Sequence, residues 1–310
     1  MTYKPELLAT ASSMEELELL IDAGADAFVI GEGKYGMRLA GEFTLDMIGE
    51  AVKSAKPKGV RIYVSMNTLI DNDTLETMPD YIRGIYSLGI DGIVFGDPAV
   101  LVAARELAPG LPLYWNAEMT STNIVTAQYW ARRGATRYVL ARELNMEQIE
   151  DTKAKSSLEI QVQVHGMTNI YHSKRSLVNS YLDYHDDRER LDSVERERGL
   201  YLTEAERPGE RYPIYEDDGG THIMSSDDIC MLENLHELLN AGVDSLKIEG
   251  MMKSMAYNAV VVRAYRQAID AYVADPEGYS FQEEWLDAIL EAQDPNRELS
   301  YGFFYKEQVY

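Results

Sequence analysis

The sequence predicts an α/β protein built as a TIM-like (β/α)8 barrel, and two observations carry this prediction. First, one local pattern recurs: an apolar helical segment ends at a glycine, one or two small or acidic residues follow, and a short β-rich run begins. Second, these runs are almost entirely apolar, which is typical of parallel strands buried on both faces. Eight such strands alternating with helices favour a closed barrel, with a doubly wound open sheet as the alternative.

The clearest copies of the pattern are Leu19–Gly31, Ile85–Gly96, Tyr129–Arg142 and Leu238–Gly250. Each helical part ends at a glycine that suits a left-handed C-cap, namely Gly24, Gly89, Gly134 and Gly242. With the weaker copies, the predicted strands are Leu7–Ala11, Ala27–Gly31, Arg61–Ser65, Gly92–Gly96, Leu113–Ala117, Arg137–Ala141, Glu159–Val164 and Ser245–Glu249.

Helical patterns separate most of these strands. Ser13 followed by Glu16 has the form of a capping box, and Pro98 suits the first turn of a helix. Further helices are predicted at Thr44–Ala55, Leu75–Ser87, Pro98–Leu107, Met146–Lys155, Ser254–Asp275 and Gln282–Ala292. We therefore expect a barrel over residues 1–275 and a helical C-terminal tail over residues 276–310.

A long break separates the seventh and eighth predicted strands. It covers residues 166–227 and is rich in charge, tyrosine, proline and glycine. A loop of this length is either a functional insertion or a mobile arm. Its tyrosines, among them Tyr201, Tyr212 and Tyr215, favour a folded, β-rich insertion.

Composition limits the classes of function. The 310 residues are 45% hydrophobic and 26% charged, and one cysteine excludes an internal disulfide framework. The absence of a long apolar run and of an apolar N-terminal core predicts a cytoplasmic protein without a membrane partner. A net charge of −23, from 52 acidic and 29 basic residues, disfavours independent binding of nucleic acid.

Polar residues follow the ends of most predicted strands, where barrel proteins place their functional sites. Arg38 and Lys253 lie one loop further along the chain. The residues at or just after the strand ends are Glu32, Asn67, Asp97, Glu118, Arg142, Glu143, His165, Lys247 and Glu249.

His165, Lys247 and Glu249 are the catalytic candidates. Lys247 and Glu249 are two residues apart and share one face of their strand, so they are expected to form an ion pair at the barrel mouth. A structural ion pair and a hydrogen-bonded structural histidine are the alternative interpretations.

The predicted substrate-binding residues are Arg38, Asn67, Glu118, Arg142 and Lys253. The Arg142 guanidinium suits a carboxylate ligand, although a surface pair with Glu143 is the alternative. No serine-hydrolase elbow, zinc-protease motif or phosphate-binding loop occurs in the sequence.

The chain resembles the collagenase-like peptidase family U-32 from about Pro5 to Tyr272. The resemblance lies in YGMRLAGEFTLDMI, YVSMNTLIDNDTL, LYWNAEMTSTN, YVLARELNMEQI, VHGM and SSDDICMLENLHELLNAGVDSLKIEGMMKS. It implies a barrel domain and a role in RNA hydroxylation, with prephenate as co-substrate and an iron–sulfur cluster held by four cysteines. It also implies paired proteins that hydroxylate a wobble uridine of tRNA, of which this chain is similar to the shorter. The matching positions Arg38, Asn67, Arg142, His165, Lys247, Glu249 and Lys253 imply a retained pocket.

The chain departs from the family at its cysteines. Asn169 and Ser176 stand at two cysteine positions, the insertion supplies no third cysteine, and only Cys230 remains. Met251 stands where the family usually has arginine. The resemblance therefore implies no metal site and no cofactor in this chain alone, with the cluster in a longer, cysteine-bearing paralogue that brings the tRNA.

Two other functions stay open. The family name implies a peptidase, for which Cys230, His165 and Glu249 are the only candidate groups, without a visible activating arrangement. The third hypothesis is a barrel enzyme acting on a small anionic metabolite held by Arg142 or Lys253. Whether the chain is an enzyme by itself is left open by the sequence.

Overall fold

The computed structural model describes residues 3–117, 122–185 and 194–307. The strands of this part of the chain are β1 (Glu6–Thr10), β2 (Ala27–Ile30), β3 (Arg61–Met66), β4 (Gly92–Phe95), β5 (Leu113–Asn116), β6 (Arg137–Val139), β7 (Glu159–Ser173), β8 (Tyr201–Leu202), β9 (Tyr212–Asp217), β10 (Gly220–Cys230), β11 (Ser245–Glu249) and β12 (Leu299–Ser300). The helices are α1 (Met14–Ala23), α2 (Leu45–Ala55), α3 (Asn72–Ser87), α4 (Pro98–Leu107), α5 (Ile124–Ala131), α6 (Met146–Lys155), α7 (Leu177–Tyr184), α8 (Leu235–Asn240), α9 (Met255–Ala274) and α10 (Glu283–Ala292).

Eight parallel strands close into a barrel. Strands β1 to β7 pair in chain order, and β11 closes the ring by pairing with both β1 and β7. The predicted fold is confirmed, including the insertion before the last barrel strand and the helical C-terminal extension. All four glycines of the repeated pattern have the left-handed backbone that was expected, for example φ 111° at Gly24, where the helix carbonyls are capped.

The two faces of the barrel strands have different neighbours. Outward side chains form the main core with the surrounding helices, whereas Leu8, Ala27, Tyr63, Val94, Tyr114 and Val139 fill the barrel interior. Below this layer, a buried ion cluster forms the barrel floor. Glu6 accepts from Arg137 at 2.6 Å, from Arg61 at 2.6 Å and from Ser245 Oγ at 2.8 Å. The interior is thus closed at the amino ends of the strands.

The seventh strand is much longer than predicted. It was expected to end at Val164, but it continues to Ser173 and pairs there with β10 as an antiparallel strand. Strands β8 and β9 extend this sheet and α7 packs beside it, so the insertion is β-rich as expected. We call residues 166–227 the insertion arm.

The C-terminal segment returns to the arm. After α10 packs on α9, β12 adds to β10 as a parallel strand. Arg297 binds the fully buried Asp228 at 2.8 Å, which ties this segment to the base of the arm. In the three described ranges, no helix is long and apolar enough to cross a membrane.

Candidate functional site

A cavity lies at the carboxyl ends of the barrel strands, above the apolar interior layer. The cavity has a volume of about 40 Å³ and opens to solvent at its mouth. Four methionines, Met37, Met167, Met224 and Met251, are among its apolar lining residues. The polar side chains that line it are Thr10, Arg38, Ser65, Asn67, Asn116, Arg142, Gln161, Asn169, Lys247 and Glu249. Three of these are cations and one is an acid, so the lining favours an anionic ligand.

The loop after β2 carries Arg38 over the cavity. Asn67 fixes this loop, since its Oδ1 accepts from Met37 N at 2.7 Å and from Ser65 Oγ at 2.9 Å. Arg38 has a left-handed backbone, φ 58°, which is uncommon for a residue other than glycine. Gly41 packs so closely that a Cβ there would lie 2.1 Å from Ser12 O. The loop is therefore held in one position by its surroundings.

Arg142 reaches the cavity from the end of β6. Its Nη2 donates to Asn169 O at 3.1 Å. Its Nε is buried without a hydrogen-bond partner among the described residues. An unsatisfied buried donor on a charged group is costly, so this N–H is suited to donate a hydrogen bond to a ligand oxygen.

Lys247 and Glu249 form the expected ion pair, with Nζ and Oε2 2.9 Å apart. The second Glu249 oxygen accepts from Thr10 Oγ1 at 3.1 Å and from Met251 N at 3.2 Å. Both side chains are more than four-fifths buried and line the cavity. Their predicted catalytic roles remain predictions.

His165 lies on the other side of the barrel wall, which corrects its expected place in the site. A register shift on β7 sets Lys247 opposite Gln163 but Ile248 opposite His165, so one extra residue turns His165 outward. Its Nε2 is 2.8 Å from Tyr257 Oη in α9. Burial lowers the pKa of His165 to about 3, so the imidazole is neutral near pH 7.

Lys253 also points away from the cavity. It pairs with Asp228 and lies over the Tyr257 ring, 5.1 Å from the ring centroid. Burial lowers the pKa of Lys253, against the raising effect of the Asp228 charge. Lys253 borders a separate crevice between the insertion arm and the C-terminal segment.

Three of the remaining strand-end candidates do not join the cavity lining, and the fourth is not described by the structure. Glu118 lies outside the described residues. Asp97 caps α4 by accepting from Ala99 N at 2.8 Å, while Glu32 and Glu143 lie outside the lining. The sequence reasoning missed Asn116, Gln161 and Asn169. Asn116 and Gln161 could have been found by counting alternate, inward positions along their strands.

The described residues do not fit an iron–sulfur cluster. Cys230 lies opposite His165 in the β10–β7 register and Asn169 opposite Met224, so these two family cysteine positions are well separated. Ser176 precedes α7, and such a cluster needs four thiolates. No group of three or more His, Cys, Asp and Glu side chains in the described ranges could hold a metal ion.

Cys230 has no features of a nucleophile. It is buried in the main core, with Tyr265 Oη 3.8 Å from its Sγ, and burial raises the pKa of its thiol. A raised pKa disfavours the reactive thiolate. Cys230 and His165 both lie outside the cavity lining that contains Glu249, so the three peptidase candidates do not form one site.

Comparisons with known proteins identify related chains. The tRNA hydroxylation protein P2 of Bacillus subtilis (strain 168) is 46% identical over 308 residues, 99% of both chains. The tRNA hydroxylation protein P1 of the same organism is 34% identical, over 100% of this chain and 74% of that protein. The solved structure of the U32 peptidase Mk0906 has a TM-score of 0.52 and 16% identity, over 80% of this chain and 94% of that one, and is similar in fold.

The model of peptidase family U32 matches residues 12–309, which include every barrel strand except β1, the insertion arm and every described cavity residue except Thr10. With this match and with relatives above 30% identity over the full length, the chain belongs to peptidase family U32.

Proposed function

We propose that this chain is a subunit of an RNA hydroxylation system that modifies a wobble uridine of tRNA. In this proposal, its barrel cavity binds a small acid such as prephenate, and a longer, cysteine-bearing paralogue carries the redox centre. The names of the full-length relatives support the RNA hydroxylation role. The occurrence of the P1 and P2 proteins in one organism supports a paralogue as partner.

The observation that carries the small-acid part concerns Arg142, which lines the cavity: its buried Nε has no hydrogen-bond partner among residues 3–117, 122–185 and 194–307. Arg38 and Lys247 also line the cavity. A carboxylate in the cavity would satisfy the Arg142 donor and meet the other two cations.

Calorimetric titration of the purified chain with prephenate tests the cavity. The variant Arg142→Gln keeps a hydrogen-bonding side chain but loses the charge. We expect it to weaken binding roughly 10- to 100-fold, the effect of about 1.5–3 kcal/mol for a charge-assisted hydrogen bond. Arg105→Gln, on the exposed face of α4, is the matched control and should bind as the unchanged chain does. Equal affinities in all three proteins would refute the proposal for Arg142.

The subunit part is tested by purifying the tagged chain from its own host. We expect a longer relative with several cysteines to co-purify, together with iron. Recovery of the chain alone and free of iron would contradict a stable complex and would leave the calorimetric result to stand by itself.

A further inference from the structure

Two adjacent crevices lie on the side of the insertion arm, and Arg211, Pro295 and Asn296 line both of them. Their walls come from residues 199–213 of the arm and residues 292–306 of the C-terminal segment. We call the two crevices together the side crevice. One of them shares Met167 with the cavity lining and the other shares Arg142, so both border the cavity wall.

The side crevice reverses the charge balance of the molecule. In the whole chain, 52 acidic residues outnumber 29 basic ones. The crevice lining instead holds six cations against four acids, and the acids are Glu210, Asp227, Asp294 and Glu298. The cations are Arg142, Arg207, Arg211, Lys253, Arg297 and Lys306. Lys253 and Arg297 share the single carboxylate of Asp228, so even this buried trio carries a surplus positive charge.

Aromatic rings lie among these cations. Tyr201 is 49% exposed, and the Arg211 guanidinium stands 4.9 Å from its ring centroid. Phe303 is 43% exposed on the opposite wall, with Lys306 Nζ 5.0 Å from its ring centroid. Exposed rings interleaved with cations are the arrangement that binds unpaired nucleotides, since bases stack on the rings while the cations meet the phosphates.

We propose that the side crevice binds an unpaired segment of RNA and leads it past Arg142 at the wall of the cavity. This inference rests on the proposed function, and it adds the location and the form of the RNA that the chain contacts. Bases stack on the rings while the cations meet the phosphates, so we expect binding to weaken as the salt concentration rises.

Cross-linking is the direct test. A short hairpin RNA with thiouridine in its unpaired loop is irradiated with the chain, together with any partner that co-purifies with it, and the cross-linked peptides are mapped by mass spectrometry. We expect cross-links at Tyr201, Tyr212 or Phe303. Cross-links that fall only outside residues 199–213 and 292–306 would overturn the proposal.

Charge reversal is the matched binding test. Arg211→Glu with Lys306→Glu changes the crevice, while Arg83→Glu with Lys58→Glu makes the same change of charge at exposed positions in α3 and after α2. Measured by fluorescence anisotropy with the same RNA, the crevice pair should weaken binding about tenfold or more and the control pair about twofold or less. Equal losses would show a general charge effect and overturn the proposal.

Two further outcomes separate this proposal from the proposed function. If the crevice pair abolishes co-purification of the paralogue and leaves RNA affinity unchanged, the crevice is a protein interface and the RNA proposal is wrong. If prephenate binds normally by calorimetry while the RNA neither cross-links to the crevice nor responds to its variants, only the crevice proposal fails.

Discussion

A single extra residue in β7 determines the surroundings of His165. The alternation that points Gln161 and Gln163 into the barrel would also point His165 inward. The register shift follows Gln163 and changes this alternation. The Gln163 Nε2 donates to the backbone carbonyls of His165, Gly166 and Met167, which come after the shift. The imidazole is consequently packed against Tyr257 and Tyr265 in the helix layer.

The buried imidazole makes stability depend on pH. Because its pKa is lowered to about 3 in the folded chain, the unfolded chain binds the proton first as pH falls. The contribution of the neutral imidazole to stability is complete above pH 6.5, the ordinary pKa of histidine, and is lost progressively as pH falls from 6.5 toward 3. In His165→Gln, the slope of the unfolding free energy with pH should flatten by up to about 1.4 kcal/mol per pH unit in this window. Urea denaturation at several pH values measures this slope. An unchanged slope in His165→Gln would contradict the lowered pKa of His165.

Arg142 and Lys253 looked alike in the sequence, since each follows a barrel strand, but the structure separates them. Arg142 lines the cavity and its buried Nε has no hydrogen-bond partner in the described part of the chain, while Lys253 is bound to Asp228. Burial alone would raise the pKa of Asp228, but the Arg297 hydrogen bond and the Lys253 charge lower this pKa to about 2. The sequence could not distinguish them, because Asp228 directly follows the arm and Arg297 lies in the C-terminal segment, both distant in sequence from Lys253 and from each other.

At the scale of the elements, the barrel strands were predictable because they are short apolar runs, four of which follow helices that end at Gly24, Gly89, Gly134 and Gly242. The strand ends were predicted to within one or two residues except in β7. That strand could not be bounded, because its continuation depends on pairing with β10, whose partner residues lie far along the chain. The cavity was predicted in part: Arg38, Asn67, Arg142, Lys247 and Glu249 line it, while the bulge excluded His165.

The loop after β2 is the element that the cavity depends on most. We expect Gly41→Ala to displace this loop, because the new Cβ would overlap the Ser12 carbonyl. Binding of the small acid should weaken about tenfold, equivalent to 1.4 kcal/mol, and amide exchange over residues 31–43 should become faster. Gly209→Ala is the control, since a Cβ there meets nothing within 4 Å. Unchanged amide exchange in Gly41→Ala would show that the loop accommodates the methyl group.

At the scale of the whole molecule, the barrel floor holds the ends of separate strands together. Arg137 binds Glu6 and Glu159, linking β6 to β1 and β7, and both Arg137 and Glu6 are almost fully buried. Burial would raise the pKa of Glu6, but Arg137 and Arg61 lower it. The buried Glu6 carboxylate is therefore charged, and its charge is compensated by Arg137 and Arg61.

Removing one partner should destabilise the whole barrel. We expect Arg137→Met to reduce the free energy of unfolding by about 3 kcal/mol, since it leaves a buried carboxylate with Arg61 as its remaining ion-pair partner. Adding Glu6→Gln should restore part of this loss, because the uncompensated charge is gone. Urea denaturation of the two variants measures both effects. A double variant less stable than Arg137→Met would contradict this explanation.

The length of β7 also has a mechanical consequence. Strand β7 pairs with β6 and β11 in the barrel and with β10 in the arm, so one strand belongs to both the barrel and the arm. Strand β7 passes the cavity at Gly166, where φ is 99° and a Cβ would lie 2.0 Å from Glu249 O. The backbone that leads into the arm therefore packs directly against Glu249, and we expect a molecule that binds the arm and displaces β7 to displace this wall of the cavity as well.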